Sequence, residues 1–393
     1  MSRRPALPLA LLAVLALAVA CASGDSRRVT FRDSAGIVIA ENAPDALERA
    51  VVWRIDSQPT LTIGKLEGEP AYQLYRVGGA ARMADGRIAV LNSGTSELRI
   101  FGADGKHLHT VGRNGDGPGE FRSPFPLLHL PHDTLGIWDQ GQHRVTIFSP
   151  AAEYVRMYRL DRPANNAEIV GPFADASIVM ADFRFNVPKA GFEISRGVLT
   201  RYSRDGVFSD SLGSYPWREI GILYPGADRV GSRTFAPRTS TAIHGSQFWV
   251  GTAVEPSIEV HDQRGTLTRF VRWTARDRMV GPNDARAQFE ERNPNATPER
   301  RRAFESIPVA ERYPAHSTMI ADVDGSLWVQ DYARPTATGP AQWVIFDSKG
   351  ALIARADLPP RLRIFEIGRD FVLGMHPDAD DVEQVVVYAL RRP

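Results

Sequence analysis

Ile88, Val90 and Asn92 in the segment DGRIAVLN are matched 47 residues later by Leu135, Ile137 and Asp139 in DTLGIWDQ, and Ile100-Phe101 by Ile147-Phe148 at the same spacing. Each unit reads as a strand alternating with period two, a short polar loop, and a second strand ending in an aromatic. A turn such as Ala103-Asp104-Gly105 then leads to a third strand. A repeat of this length cannot bury its apolar face alone, so neighbouring copies must stack.

The pattern recurs four more times. The third copy carries Ile178 to Asp182, Leu199 to Tyr202 and Arg204-Asp205-Gly206. The fourth carries Phe248-Trp249-Val250 and Ile258 to His261, and the fifth Leu327 to Asp331 and Val344 to Phe346. The sixth carries Phe371 to Leu373 and Val385 to Tyr388, where it lacks an outer strand. Six strand-rich units punctuated by Asp-Gly turns predict an all-β, six-bladed β-propeller. Leu61 to Lys65 resembles Thr110 to Arg113, so an N-terminal strand over 59–64 is expected to close the last blade and remove its exposed edge. Segments 36–41 and 51–55 also read as strands, and either is a candidate to share that closure.

The stretch GRNGDGPGEF (Gly112 to Phe121) resembles the blade-to-blade connection of NHL-type propellers. With RDSAGIVIAEN, DGRIAVLNSGTSELRIF, YPAHSTMIADVDGSLWVQDY and EQVVVYAL, the mature chain resembles a family of bacterial six-bladed β-propeller lipoproteins. The resemblance implies the fold and carries no biochemical activity.

Cys21 is the only cysteine in the 393 residues, and it follows two arginines (Arg3, Arg4) and an apolar run from Ala6 to Val19. A positive start, a short apolar stretch and a small residue at the cut describe an export signal. The pattern resembles a bacterial lipoprotein signal in which the cysteine becomes the lipidated first residue, although Ala18 stands where such signals usually carry Leu. The division expected is a signal peptide over 1–20, a tether over 21–28 and one propeller domain over 29–393. Ala22, in place of the Asp that retains such lipoproteins at the inner membrane, favours the outer membrane. With the closing strand near residue 60, the tether is expected to join the propeller near its seam.

A balance of 47 basic and 46 acidic residues gives no electrostatic basis for binding nucleic acid. The glycines of Gly112 to Gly119 lack the helix and Lys-Ser/Thr that a phosphate loop requires, and read as an interblade turn. Asp322-Val323-Asp324-Gly325 begins like a calcium loop, but Leu327-Trp328-Val329 replaces its later ligands, leaving a hairpin turn. His107 and His109 share one strand face without a third ligand. No HExxH, CxxC or GxSxG motif occurs.

Function is expected on one face. The extra residues of units three, five and six all enter the loop between second and third strands. Two further insertions, near 214–235 and over 275–315, lie between units on the same face, the second partly helical with Thr297 as cap and Pro298 in first position. Insertions gathered on one face of a repeat protein mark a binding face. Arg184, Tyr215, Trp217, Arg229, Arg233, Tyr332 and Arg334 populate it with residue types enriched at interface hot spots. The reading favoured is a lipid-anchored extracytoplasmic binding or scaffolding propeller for a protein, peptide or glycan, with no cofactor. The alternative is a metal-dependent, lactonase-like hydrolase at the central channel. There Asn92, Asp139, Asp182 and Asp331, equivalent positions after their second strands, would surround a divalent ion.

Overall fold

Ile88–Asn92 and Arg144–Phe148 are buried along their whole length, whereas the outer strands His107–Val111 and Tyr154–Arg159 show at least every second residue to solvent. Continuous apolar runs form strands covered on both faces, and alternating runs form strands covered on one. That contrast sets the radial order of each blade. The computed structural model describes residues 29–162, 167–184, 188, 191–222, 230–335 and 339–393.

Blade one runs Val77–Arg82, Ile88–Asn92, Glu97–Phe101, His107–Val111, and blade two Pro124–Leu130, Thr134–Asp139, Arg144–Phe148, Tyr154–Arg159, each an antiparallel meander. Blade three lengthens its last two strands to Phe192–Tyr202 and Phe208–Ile222 and adds Val230–Gly231. Blades four and five begin at Ser240–His244 and Met319–Ala321, and blade six comprises Arg363–Ile367, Phe371–Pro377 and Glu383–Arg391. The second insertion contributes helices Asp284–Arg292 and Pro298–Glu305 between blades four and five; Thr297 caps the latter, its hydroxyl accepting from the Arg300 N–H at 3.3 Å.

The core consists of six apolar seams, one between each pair of neighbouring blades. Phe121, Leu98 and Phe148 join blades one and two; Trp138, Met180 and Tyr202 join two and three; Phe173, Leu212 and Phe248 join three and four. Trp273 and Phe346 lie between four and five, and Trp328 and Val372 between five and six. Ile63, Val90, Phe101, Leu373 and Val385 complete the circuit from six back to one. Burying each such side chain contributes roughly 1.5–3 kcal/mol, and the cyclic arrangement leaves no blade with a bare face.

The N-terminal chain is a belt around the rim. Leu61–Ile63 pairs antiparallel with Val385–Val387 as the fourth strand of blade six. Val51–Ile55 lies parallel to the outer strand of blade five, Ala354 opposite Val51, and its far end pairs Ile55 with Leu390 of blade six. Ile37–Asn42 lies parallel to Leu267–Arg272 of blade four, with Val29–Ser34 outside it. Segment 36–41 therefore takes no part in closing the last blade, and the described chain starts two blades from the seam. The reason is an unsatisfied edge: each outer strand offers free N–H and C=O groups, and a chain passing along the rim pairs with each in turn. Asn42 fastens the belt, donating to the carbonyls of Arg272 (2.9 Å) and Gly350 (3.0 Å) and accepting from the Leu352 N–H (2.7 Å).

The repeated Asp-Gly turns acquire a packing reason. Gly105, at φ 77°, sits where a Cβ would come within 2.8 Å of Leu61 on blade six, and Gly206, at φ 85°, within 2.3 Å of the Arg159 carbonyl on blade two. Each turn presses on the outer strand of the preceding blade, so glycine is required by both conformation and space.

Candidate functional site

The 275–315 insertion, the end of the first insertion at Phe235 and the enlarged loop of blade five meet beside blade five. Asp284, at the start of the first insertion helix, accepts hydrogen bonds from the Tyr313 hydroxyl (2.5 Å) and the Gly281 N–H (2.6 Å). Burial, aided by the Asp284 carboxylate, pushes the Tyr313 phenol up, so it remains a neutral donor. Tyr313 packs edge-on against Phe235 at 4.8 Å and stacks with Tyr332 at 5.6 Å, in a cluster that includes Ala285 and Ala310. The stacked rings of Phe289 and Phe304, 4.3 Å apart, hold the two helices together, and Phe304 rests on that cluster.

Between this platform and blade five opens a cleft of about 680 Å3, lined among others by Arg276, Arg278, Asp331, Tyr332, Arg334 and Arg361. Its volume falls in the range of small-molecule sites, about 300–1,000 Å3. Arg278 is built into the wall, donating to the carbonyls of Val254 (2.9 Å) and Tyr313 (3.2 Å) and pairing with Glu255. Arg276 donates to the Gln342 side chain, and Arg334 donates to the Asp277 carbonyl while lying 5.5 Å over the Tyr313 ring. Arg361, at the rim, pairs with Asp381 at 2.5 Å.

Of the two acids that line the cleft, Asp277 and Asp331, the second is the one that burial affects. Its N–H donates to the Gln342 carbonyl at 2.9 Å. Burial raises its carboxyl above the ordinary carboxylate range, with Arg276 offsetting only part of the shift. A carboxyl with a raised native pKa binds more protons folded than unfolded. Stability is therefore lost as pH rises from the unfolded pKa through the native one, and the penalty is complete above it. Asp331→Asn removes that penalty and is expected to raise Tm at pH 7 by roughly 1–2 °C, the gain vanishing at acid pH. An unchanged or lowered Tm at pH 7 would count against a charge held at a cost in the cleft.

Of the residues expected on the binding face that are among the described residues, only Tyr332 and Arg334 line this cleft. Tyr215 and Trp217 are core residues. They are 9% and 5% exposed in the seam between blades three and four, Tyr215 edge-on to His261 and Trp217 at 4.9 Å from Phe183. The first half of the 214–235 insertion is a strand, not a loop, and its period of two turns Tyr215, Trp217 and Glu219 inward. Arg233 neutralises that Glu219, donating to it from the backbone at 2.8 Å and from its guanidinium at 2.7 Å. Arg184 ends a strand, its backbone opposite Arg196. Arg229 and Cys21 lie outside the described residues.

The metal reading fares differently at each position. Asn92 accepts from the Tyr75 N–H at 2.7 Å and donates to the Thr95 hydroxyl at 2.8 Å. Asp139 accepts from the N–H groups of Arg122, Ser123 and Gly141 and from the Gln142 amide. Both side chains are occupied by the loop that enters their own blade and by the turn that follows them. Asp182 lines a separate cavity of about 250 Å3 with Arg162 and Tyr202, and Asp331 the cleft. The four do not converge, and among the described residues no group of three His, Cys, Asp or Glu side chains has metal-binding geometry. A polar cluster does bridge blades two and six, where His129 meets Glu366 (3.3 Å) and Asp133 (3.1 Å). Its carboxylates also accept the N–H groups of Arg82 and Ala84, so it ties inner strands together.

Residues 75–164, which hold blades one and two, match a family model described as a 6-bladed beta-propeller. With the six cyclic seams, that match defines the class: the protein is a six-bladed β-propeller. Solved structures of similar shape include a Bacteroides fragilis protein whose name proposes export, 12% identical over 87% of this chain and 99% of that one, with a TM-score of 0.46. A member of the duf4221 family from Bacteroides vulgatus is 12% identical over 86% and 98% with a TM-score of 0.49. The calcium-binding protein regucalcin from Agrobacterium tumefaciens is 10% identical over 88% and 97% with a TM-score of 0.40. Likeness at this level extends to neither activity nor ligand. No curated protein matches the chain in sequence. Among the described residues no helix is long and apolar enough to cross a membrane.

Proposed function

We propose that the protein is a lipid-anchored extracytoplasmic propeller, held at the outer membrane through Cys21, that binds its ligand in the cleft between the helical insertion and blade five. The observation that carries this reading is the cleft itself: a preformed cavity with an aromatic floor and arginines from three separate loops, on the insertion-bearing face. Its polar groups belong to recognition. Of the Asn and Asp residues that a channel-mouth metal enzyme would need, Asn92 and Asp139 are instead bonded to loops and Asp182 and Asp331 line separate cavities, which supports recognition over the hydrolase alternative.

The anchor is tested by growing cells with labelled fatty acid. Wild-type protein is expected to carry the label and partition into detergent, and Cys21→Ser to do neither. Unlabelled wild-type protein would overturn it. Binding is tested by thermal shift of the Cys21→Ser chain against acidic peptides, acidic oligosaccharides and organic phosphates. A stabilising ligand is expected to lose at least tenfold in affinity with Tyr332→Ala, about 1.4 kcal/mol. An affinity unchanged in that variant places binding elsewhere.

A further inference from the structure

The N-terminal belt changes where the tether leaves the propeller. Val29 pairs with Asn42, and the preceding Glu41 is level with Arg272. With neighbouring strands about 4.8 Å apart, Val29 emerges about 10 Å from Arg272. From Arg272 the chain runs directly into Ala275 and Arg276, the cleft wall, which four residues place at most ~14 Å further on. Cys21 precedes Val29 by eight residues, which span at most ~28 Å. The lipid and the cleft are thus attached to the same edge of the molecule, and a short leash keeps the cleft close to the bilayer surface.

The cleft is basic as well as near. Arg276, Arg334 and Arg361 reach it from three loops, against Asp277 and Asp331. A guanidinium has five N–H donors, and the bonds described above use one of Arg276, one of Arg334 and one of Arg361. Guanidinium forks match the oxygens of a phosphate two at a time. Burial disfavours the charged form of Asp331.

We propose that the cleft formed by Arg276, Arg334 and Arg361 holds the phosphate-bearing headgroup of an anionic lipid of the membrane to which Cys21 tethers the chain. The assignment rests on the lipid-anchored reading above. Bound in this way, the propeller lies with its insertion face against the bilayer, and the tether supplies the headgroup at high effective concentration.

The test uses the full chain carrying Cys21→Ser, so that any membrane binding is the cleft's own. Cosedimentation is measured with phosphatidylcholine vesicles with and without phosphatidylglycerol. Phosphatidylglycerol is expected to raise binding at least tenfold, and Arg276→Ala with Arg334→Ala to abolish that gain. Arg264→Ala with Lys349→Ala removes the same charge from exposed Asp-Gly-type turns at the opposite end of the strands and is expected to leave binding unchanged. Glycerol phosphate is expected to compete only at much higher concentration than lipid. Equal binding to both vesicles, or equal losses in the two double variants, would overturn the headgroup assignment. So would a thermal shift with soluble glycerol phosphate but no vesicle binding, which assigns the cleft to a free phosphate ester. Loss of fatty-acid labelling alone would instead strike the anchor, so the two failures are distinct.

Discussion

Asp139→Ala is expected to destabilise the propeller by at least about 3 kcal/mol, since it strands buried N–H groups that otherwise meet a carboxylate. Asp139 is fully buried, and its two oxygens receive the Arg122 N–H (2.8 Å), the Ser123 N–H (3.0 Å), the Gly141 N–H (3.0 Å) and the Gln142 amide (2.9 Å). Alanine satisfies none of them, and Tm is expected to fall by roughly 5 °C. Asp139→Asn retains one acceptor oxygen and is expected to lose less, because blade one already uses Asn92 for the same task. Chelator should leave the wild-type Tm where it is. A Tm that falls with chelator, and a variant that merely loses metal without unfolding earlier, would restore the hydrolase reading.

Ile63→Asp is expected to open the ring. Ile63 is 1% exposed and packs with Val385, Leu373 and Ile88 in the seam between blades six and one. An unpaired carboxylate there costs several kcal/mol before any packing loss, and the short strand that carries it has only three residues of pairing. The expected outcome is loss of cooperative unfolding and rapid proteolysis at the seam. Thr62→Asp, on the exposed side of the same strand, serves as the control and should behave as wild type. If Ile63→Asp unfolds no earlier than Thr62→Asp, Leu61–Ile63 is not what closes the propeller.

The repeat made the blades legible because strand alternation and Asp-Gly turns are local: Ile88, Val90 and their counterparts 47 residues on announce their burial wherever the neighbouring blades lie. The same locality explains Thr297 and Pro298, which start a helix by satisfying groups within one turn. Tyr332 and Arg334, which line the cleft, stand out in the sequence for the same reason, since they lie in an enlarged loop of a recognisable unit. Tyr215 and Trp217 were misplaced because an insertion count does not say whether extra residues form a loop or lengthen a strand. Their period-two spacing with Glu219 is the signal that turns them inward. Arg276, Arg278 and Tyr313 went unnoticed because nothing in their spacing ties them to Asp331 or Gln342.

The chain's own sequence therefore determined the repeat unit, the number of blades and the need for a closing strand, since each follows from short-range hydrophobic periodicity and one missing edge. Only the tertiary structure decided the path of the belt and the make-up of the cleft. Pairing Ile37–Asn42 with blade four, or bringing Arg276 to Asp331 and Arg334, depends on contacts between segments far apart in the chain. Those contacts are selected by unsatisfied backbone edges and shared burial in three dimensions, which no local pattern of residues encodes.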